Sequence, residues 1–213
     1  ERPRLAIPMA VRAGGHNVRL DADGLAGAFP DATGRVVVFL HGLCENDESW
    51  NRGRATLGTT YGEMLADEGW TPVFLRANSG LPLRENGVAL SALLQRLTEE
   101  WPVDVTRIAL VGHSMGGLVI RAAGAVAAEA ECPWTALVSD VVTLGTPHLG
   151  APLARGVGHG SRGLARLPET SAFGRILDWR SVGVHDLVEG LTDDVPALPH
   201  ARYHLVAATV TTS

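Results

Sequence analysis

The sequence contains no lysine. All 18 basic residues are arginine, set against 23 acidic ones, for a formal net charge of −5. The arginines are scattered, with only small groupings such as Arg52 and Arg54. A nucleic-acid-binding protein concentrates its basic residues on one face, so nucleic acid is not an expected partner. Cysteine is nearly as scarce. Cys44 and Cys132 alone make neither a disulfide framework nor a metal site. Long hydrophobic runs are missing too: residues 36–40 form a run of five, and Arg121 interrupts residues 118–128. None approaches the ~18–20 residues that span a bilayer, so no transmembrane segment is expected. No signal peptide is visible, yet the first residue is Glu1 and not Met. The cytoplasm is the default expectation, with secretion the alternative if a signal peptide was removed.

What is present is ordinary for a globular protein. Of 213 residues, 46% are apolar and 19% charged, close to typical usage. The length suits one domain carrying an insertion better than two domains.

Residues 1–34 carry turn signals at Gly14-Gly15, Asp23-Gly24 and Pro30-Asp31, and read as an irregular leading segment with one short edge strand. Five brief apolar runs follow, at 35–40, 71–76, 107–111, 141–144 and 203–210. They do not alternate cleanly, which suits strands buried on both faces of a parallel sheet. Helical patterns separate them. Val88, Leu90, Leu93, Leu94, Leu97 and Trp101 make one apolar stripe, closed by Pro102. Further helices are predicted over 61–68 and 115–130. Alternating strands and helices predict an α/β fold, a mostly parallel, doubly wound sheet with helices on both faces. The expected division is a core at 35–148, a lid-like insertion at 149–199 containing a helix at 171–179, and a last strand within 200–213.

The sharpest local signal is Gly112-His113-Ser114-Met115-Gly116-Gly117, between the run at 107–111 and the helix that follows. A serine on a tight strand-to-helix turn has a strained backbone, and small residues two before and two after it let strand and helix approach. Such a turn lifts the hydroxyl above the sheet and aims helical N–H groups at a reacting carbonyl oxygen. His41-Gly42-Leu43 stands directly after the first run. A glycine there allows a turn whose next N–H points into the same site, so the amides of Leu43 and Met115 would form an oxyanion hole. His41 reads as a loop-orienting residue and not as a base, because it precedes Ser114, whereas the base paired with a serine on such a strand-to-helix turn comes later in the chain.

The strings VFLHGLCEND, LVGHSMGG and TLGTPHLGAP resemble the α/β-hydrolase superfamily, in its bacterial lipase/esterase branch with PGAP1-like members. The resemblance runs in order from about Arg35 to Pro152. It implies an α/β-hydrolase fold, Ser114 as nucleophile, backbone oxyanion donors at Leu43 and Met115, and His148 on the rim of the site. It also implies an acid and then a histidine after the last strands, whereas the chain stops at Ser213. Two explanations stand: a C-terminally incomplete chain, or a triad completed from within. The internal candidates are His148, His159, His185, His200 and His204, with Asp186, Asp193 and Asp194.

The implied activity is a serine carboxyl-ester hydrolase acting on a small-molecule or lipid ester, with no cofactor and no metal. An acyltransferase would use the same residues. A non-catalytic binding or scaffold protein on the same fold is the other alternative. Apolar residues of the insertion, among them Leu153, Leu164, Phe173 and Trp179, would roof an acyl cleft or simply cover the sheet. Cys44 lies at the sheet's C-terminal edge, and Cys132 lies beyond a helix that runs away from it, so two free thiols are expected.

Overall fold

The computed structural model describes residues 7–126, 130–148 and 195–207. Within them the apolar runs become the interior of a seven-stranded sheet. Its strands are β1 (Ala10–Ala13), β2 (His16–Asn17), β3 (Arg35–Leu40), β4 (Thr71–Arg76), β5 (Arg107–His113), β6 (Val138–Leu144) and β7 (Arg202–Val206). Their order across the sheet is β2-β1-β4-β3-β5-β6-β7. From β4 to β7 every neighbouring pair is parallel, and β1 joins β4 antiparallel. β3 and β5 are buried almost throughout, the reason their sequences run apolar without alternation.

Among the described residues five α-helices connect the strands: α1 (Ala22–Ala28), α2 (Arg54–Leu57), α3 (Tyr61–Asp67), α4 (Leu83–Glu100) and α5 (Met115–Gly124). Against one face of the sheet α1, α4 and α5 bury Leu25, Leu83, Leu90, Leu94, Leu97 and Leu118. On the other face Val37, Phe39, Ala109 and Val111 pack with Trp50, Trp70 and Leu65 of α3. The doubly wound arrangement expected from the sequence is therefore present.

Several details differ from the sequence expectations. The leading segment supplies two strands and a helix, not one edge strand. The helix starting at Met115 ends at Gly124, well short of residue 130. β6 begins at Val138, three residues early, because an irregularity between Ile108 and Ala109 lets the strand take in the polar pair Ser139-Asp140. The α4 stripe is also rotated. Val88 is exposed, while Gly87 is buried. A β-carbon at Gly87 would stand 2.7 Å from that of Ala122, so the glycine lets α4 and α5 touch backbone to backbone, and this contact sets the helix phase. The insertion, with the helix expected at 171–179, lies outside the described residues except for 195–199.

Both cysteines are free thiols, as expected. No described helix is long and apolar enough to cross a membrane.

The chain order decides where a site can form. From β3 the chain moves outward to β4, then returns across β3 to place β5, β6 and β7 on its other side. The loops after β3 and β5 therefore leave in opposite directions. A crevice opens between them at the carboxyl ends of the strands, the usual place for ligands in open α/β sheets. His41 to Glu45 and Ser114 line its two sides.

Candidate active site

Ser114 joins β5 to α5 with φ 50° and ψ −118°. Among the described residues only Cys44 shares a positive φ without being glycine. A side chain in this region is strained by about 1–3 kcal/mol, and such residues persist where their surroundings over-determine them. Here the Ser114 N–H donates to the Leu144 carbonyl at 2.8 Å, and its carbonyl accepts from Gly117 N–H at 3.2 Å. The flanking glycines give the turn its room. A β-carbon at Gly112 would lie 2.6 Å from the Gly117 nitrogen, and one at Gly116 would overlap the Leu40 carbonyl. Ser114 itself is partly exposed.

Opposite stands the turn Gly42-Leu43-Cys44-Glu45, closed by the Glu45 N–H donating to the Gly42 carbonyl at 3.3 Å, with Cys44 at φ 56°. His41, fully buried, anchors it. Its Nε2 lies 3.0 Å from the Ala77 N–H and must accept, so Nδ1–H donates to the Gly42 carbonyl at 2.8 Å. Burial lowers the pKa of this imidazole, outweighing the Gly42 bond, and the neutral tautomer links the loops after β3 and β4. That is the loop-orienting role expected of it. Among the described residues the amides of Leu43 and Met115 have no hydrogen-bond acceptor.

Glu45 and His113 were missed by sequence reasoning. Glu45 Oε2 is 2.7 Å from His113 Nδ1 and 2.8 Å from the Gly42 nitrogen, while Oε1 pairs with Arg52. Burial pushes this carboxyl upward, but the bonds from His113 and Gly42 and the charges of His113 and Arg52 outweigh it, holding the group at about 2. An ionised carboxylate can only accept, so His113 Nδ1 carries the proton. The one sequence cue was a glutamate three residues after Gly42. Its partner, 68 positions away, had none.

The histidines proposed to complete a triad are placed differently. His148 Nδ1 faces Arg121 at 3.5 Å and Nε2 faces the Thr143 hydroxyl at 3.2 Å. Burial, helped by Arg121, lowers its pKa, and with both ring nitrogens occupied it braces the rim. His200 bonds the Thr135 carbonyl at 2.8 Å. His204 meets Asp140 at 3.2 Å, but Asp140 also holds Ser139, Arg107 and Arg202. That cluster lies four residues before Leu144 on β6, about 13 Å from the elbow end of the strand. Among the described residues no imidazole bonds the Ser114 hydroxyl. His159, His185, Asp186, Asp193 and Asp194 lie outside them.

A cavity of about 230 Å³ opens beside the elbow, lined by Glu45, Ser49, Trp50, Arg52, Tyr61, His113 and Leu144. A larger one of about 540 Å³, between the β1–β2 hairpin and the 3₁₀ turn at Asp47–Asn51, involves none of the elbow residues.

Residues 75–161 match the family described as PGAP1-like alpha/beta domain, a span that includes β5, the elbow and β6. Among solved structures, the mature form of the Bacillus licheniformis lipase BlEst2 superposes with a TM-score of 0.58 at 23% identity, over 80% of this chain and 64% of that one. Its propeptide form gives 0.57 at 21% identity, over 94% of this chain and 39% of that one. The bottromycin epimerase BotH gives 0.50 at 16% identity, over 83% and 74%. This chain thus spans a little under two thirds of the mature lipase. A lipase and an epimerase share the architecture, so the reaction must be argued from the site.

Proposed function

We propose that this chain is an α/β-hydrolase-type serine carboxyl-ester hydrolase of lipase or esterase character, working through an acyl-enzyme on Ser114. The reading rests on one observation above all: a serine held at φ 50° where a parallel strand passes into a helix, facing a second turn across the crevice. In this reading Ser114 Oγ attacks the ester carbonyl carbon and the carbonyl oxygen takes up the negative charge. The Leu43 and Met115 amides, which have no acceptor among the described residues, receive that oxygen. Collapse of the tetrahedral species expels the alcohol, which takes a proton, and leaves the acyl group on Ser114. Water then attacks and releases the acid.

A serine hydroxyl needs a base to take its proton. The described residues bring none to Ser114, so the reading assigns the base and its acid partner to residues outside them. Acyl transfer to a second alcohol differs only in the final nucleophile.

The test is a fluorophosphonate probe applied to the full-length protein, with intact mass as the readout. Expected is one adduct on the wild type and none on Ser114→Ala. Absence of wild-type labelling would favour a non-catalytic scaffold. Product analysis with and without an added alcohol separates hydrolysis from transfer.

A further inference from the structure

We infer that Glu45 is a positioning residue for the oxyanion hole, its Oε2 tying the turn that carries the Leu43 amide to the strand end that carries Ser114. The inference rests on the reading of Ser114 as nucleophile. Three successive amides leave the β3 turn. Gly42 N–H is committed to Glu45 Oε2, and Cys44 N–H to the Ser79 hydroxyl at 3.2 Å. The middle one, on Leu43, has no acceptor among the described residues. The oxygen that takes Gly42 N–H also takes the ring N–H of His113, the residue directly before Ser114.

Gly42 keeps this bridge short. A β-carbon there would stand 3.0 Å from Glu45 Oε2, 3.0 Å from His113 Nδ1 and 3.1 Å from the Ser114 β-carbon. The carboxylate therefore registers one half of the proposed oxyanion hole against the nucleophile across a short gap. Arg52 on Oε1 offsets a charge that would otherwise oppose a developing oxyanion. His41 anchors the same turn to Ala77, directly after β4, independently. Loss of Glu45 should thus leave the fold standing and misplace the donor, and a displacement of about 1 Å can cost ~10²-fold in rate.

The experiment compares full-length wild type with Glu45→Ala, Glu45→Gln and Glu45→Asp. The readouts are fluorophosphonate labelling rate, kcat and KM on p-nitrophenyl butyrate, and inhibition by an alkyl trifluoromethyl ketone, whose serine adduct presents an oxyanion. Expected for Glu45→Ala is a fall of about 10- to 50-fold in kcat, matched by weaker ketone inhibition, with KM within about twofold. Glu45→Gln keeps an oxygen able to accept both N–H groups and should stay within about threefold of wild type. Glu45→Asp withdraws the oxygen by one methylene and should repeat the loss, serving if the alanine variant does not fold.

Unchanged kcat and ketone affinity in Glu45→Ala, a loss through KM alone, or a Gln variant as impaired as Ala would each overturn the inference. If the wild type is labelled and Glu45→Ala is labelled at the same rate, the inference alone fails. If the wild type is never labelled, the nucleophile reading fails and carries the inference with it.

Discussion

Gly116 and the Leu40 carbonyl are in contact so close that a β-carbon on Gly116 would overlap the oxygen. The first turn of α5 therefore sits directly on the end of β3, and this contact fixes the distance between the two loops that line the crevice. Gly116→Ala should cost about 2–3 kcal/mol, because the obstacle is backbone and cannot rotate away. It should also reduce fluorophosphonate labelling of Ser114 by at least ~10-fold, since strand and helix must separate. Thermal unfolding and intact mass check both; a variant as stable and as reactive as wild type would refute the contact.

Cys44, at φ 56°, carries strain that a glycine would not. Glycine pays about 0.5–1 kcal/mol in entropy, whereas a side chain in this region costs roughly 1–2 kcal/mol. Cys44→Gly should therefore be neutral or raise stability by up to ~1 kcal/mol. Cys44→Val should lower it, because β-branching is least tolerated at positive φ. Denaturant midpoints for the two variants give the comparison.

Gly87 gives a test in which two effects oppose. Helix propensity favours alanine over glycine by about 1 kcal/mol. The β-carbon, however, would meet Ala122 at 2.7 Å and the Ala123 nitrogen at 3.1 Å. Packing should win, and Gly87→Ala should destabilise by ~1–2 kcal/mol net. A rise in melting temperature would show that α4 and α5 are free to slide apart.

Stability should fall with acid in two windows. His41 and His148 both have pKa values below the ordinary 6.5, so the unfolded chain binds protons first. Their contribution is complete above about pH 6.5 and is lost as pH falls toward the folded values. Glu45, at about 2 against an ordinary 4.5, contributes above 4.5, and that contribution is lost as pH falls from there toward 2. His41→Gln should make the upper window shallower, leaving the His148 share, and Glu45→Gln should remove the lower one. Urea midpoints between pH 8 and 3 would reveal a single shared window if this assignment is wrong.

The elements that could be read in the sequence carry their own explanation locally. Residues 35–40 and 71–76 become β3 and β4 with the expected bounds, because a run apolar on both faces has few alternatives to an interior strand. The elbow was legible because glycine, serine and glycine at fixed spacing encode a backbone turn. The end of α5 was not. An alanine-rich stretch has no stop signal, and the helix closes at Gly124. β6 hid its first three residues because Ser139 and Asp140 look like a loop until Arg107 arrives from β5, its Nε 2.6 Å from the Ser139 hydroxyl and its NH2 2.9 Å from Asp140.

By itself the sequence determined the central strands β3, β4 and β5, the turn that bears Ser114 and the turn that follows β3, since each depends on residues within a few positions of one another. The tertiary structure alone decided that Glu45 meets His113 and that Gly87 meets Ala122. It also decided that His148 is held by Arg121 and Thr143, and that His204 is spent on Asp140. The strand order creates those meetings by returning the chain across β3, and no local pattern records which side chains such a crossing will bring together.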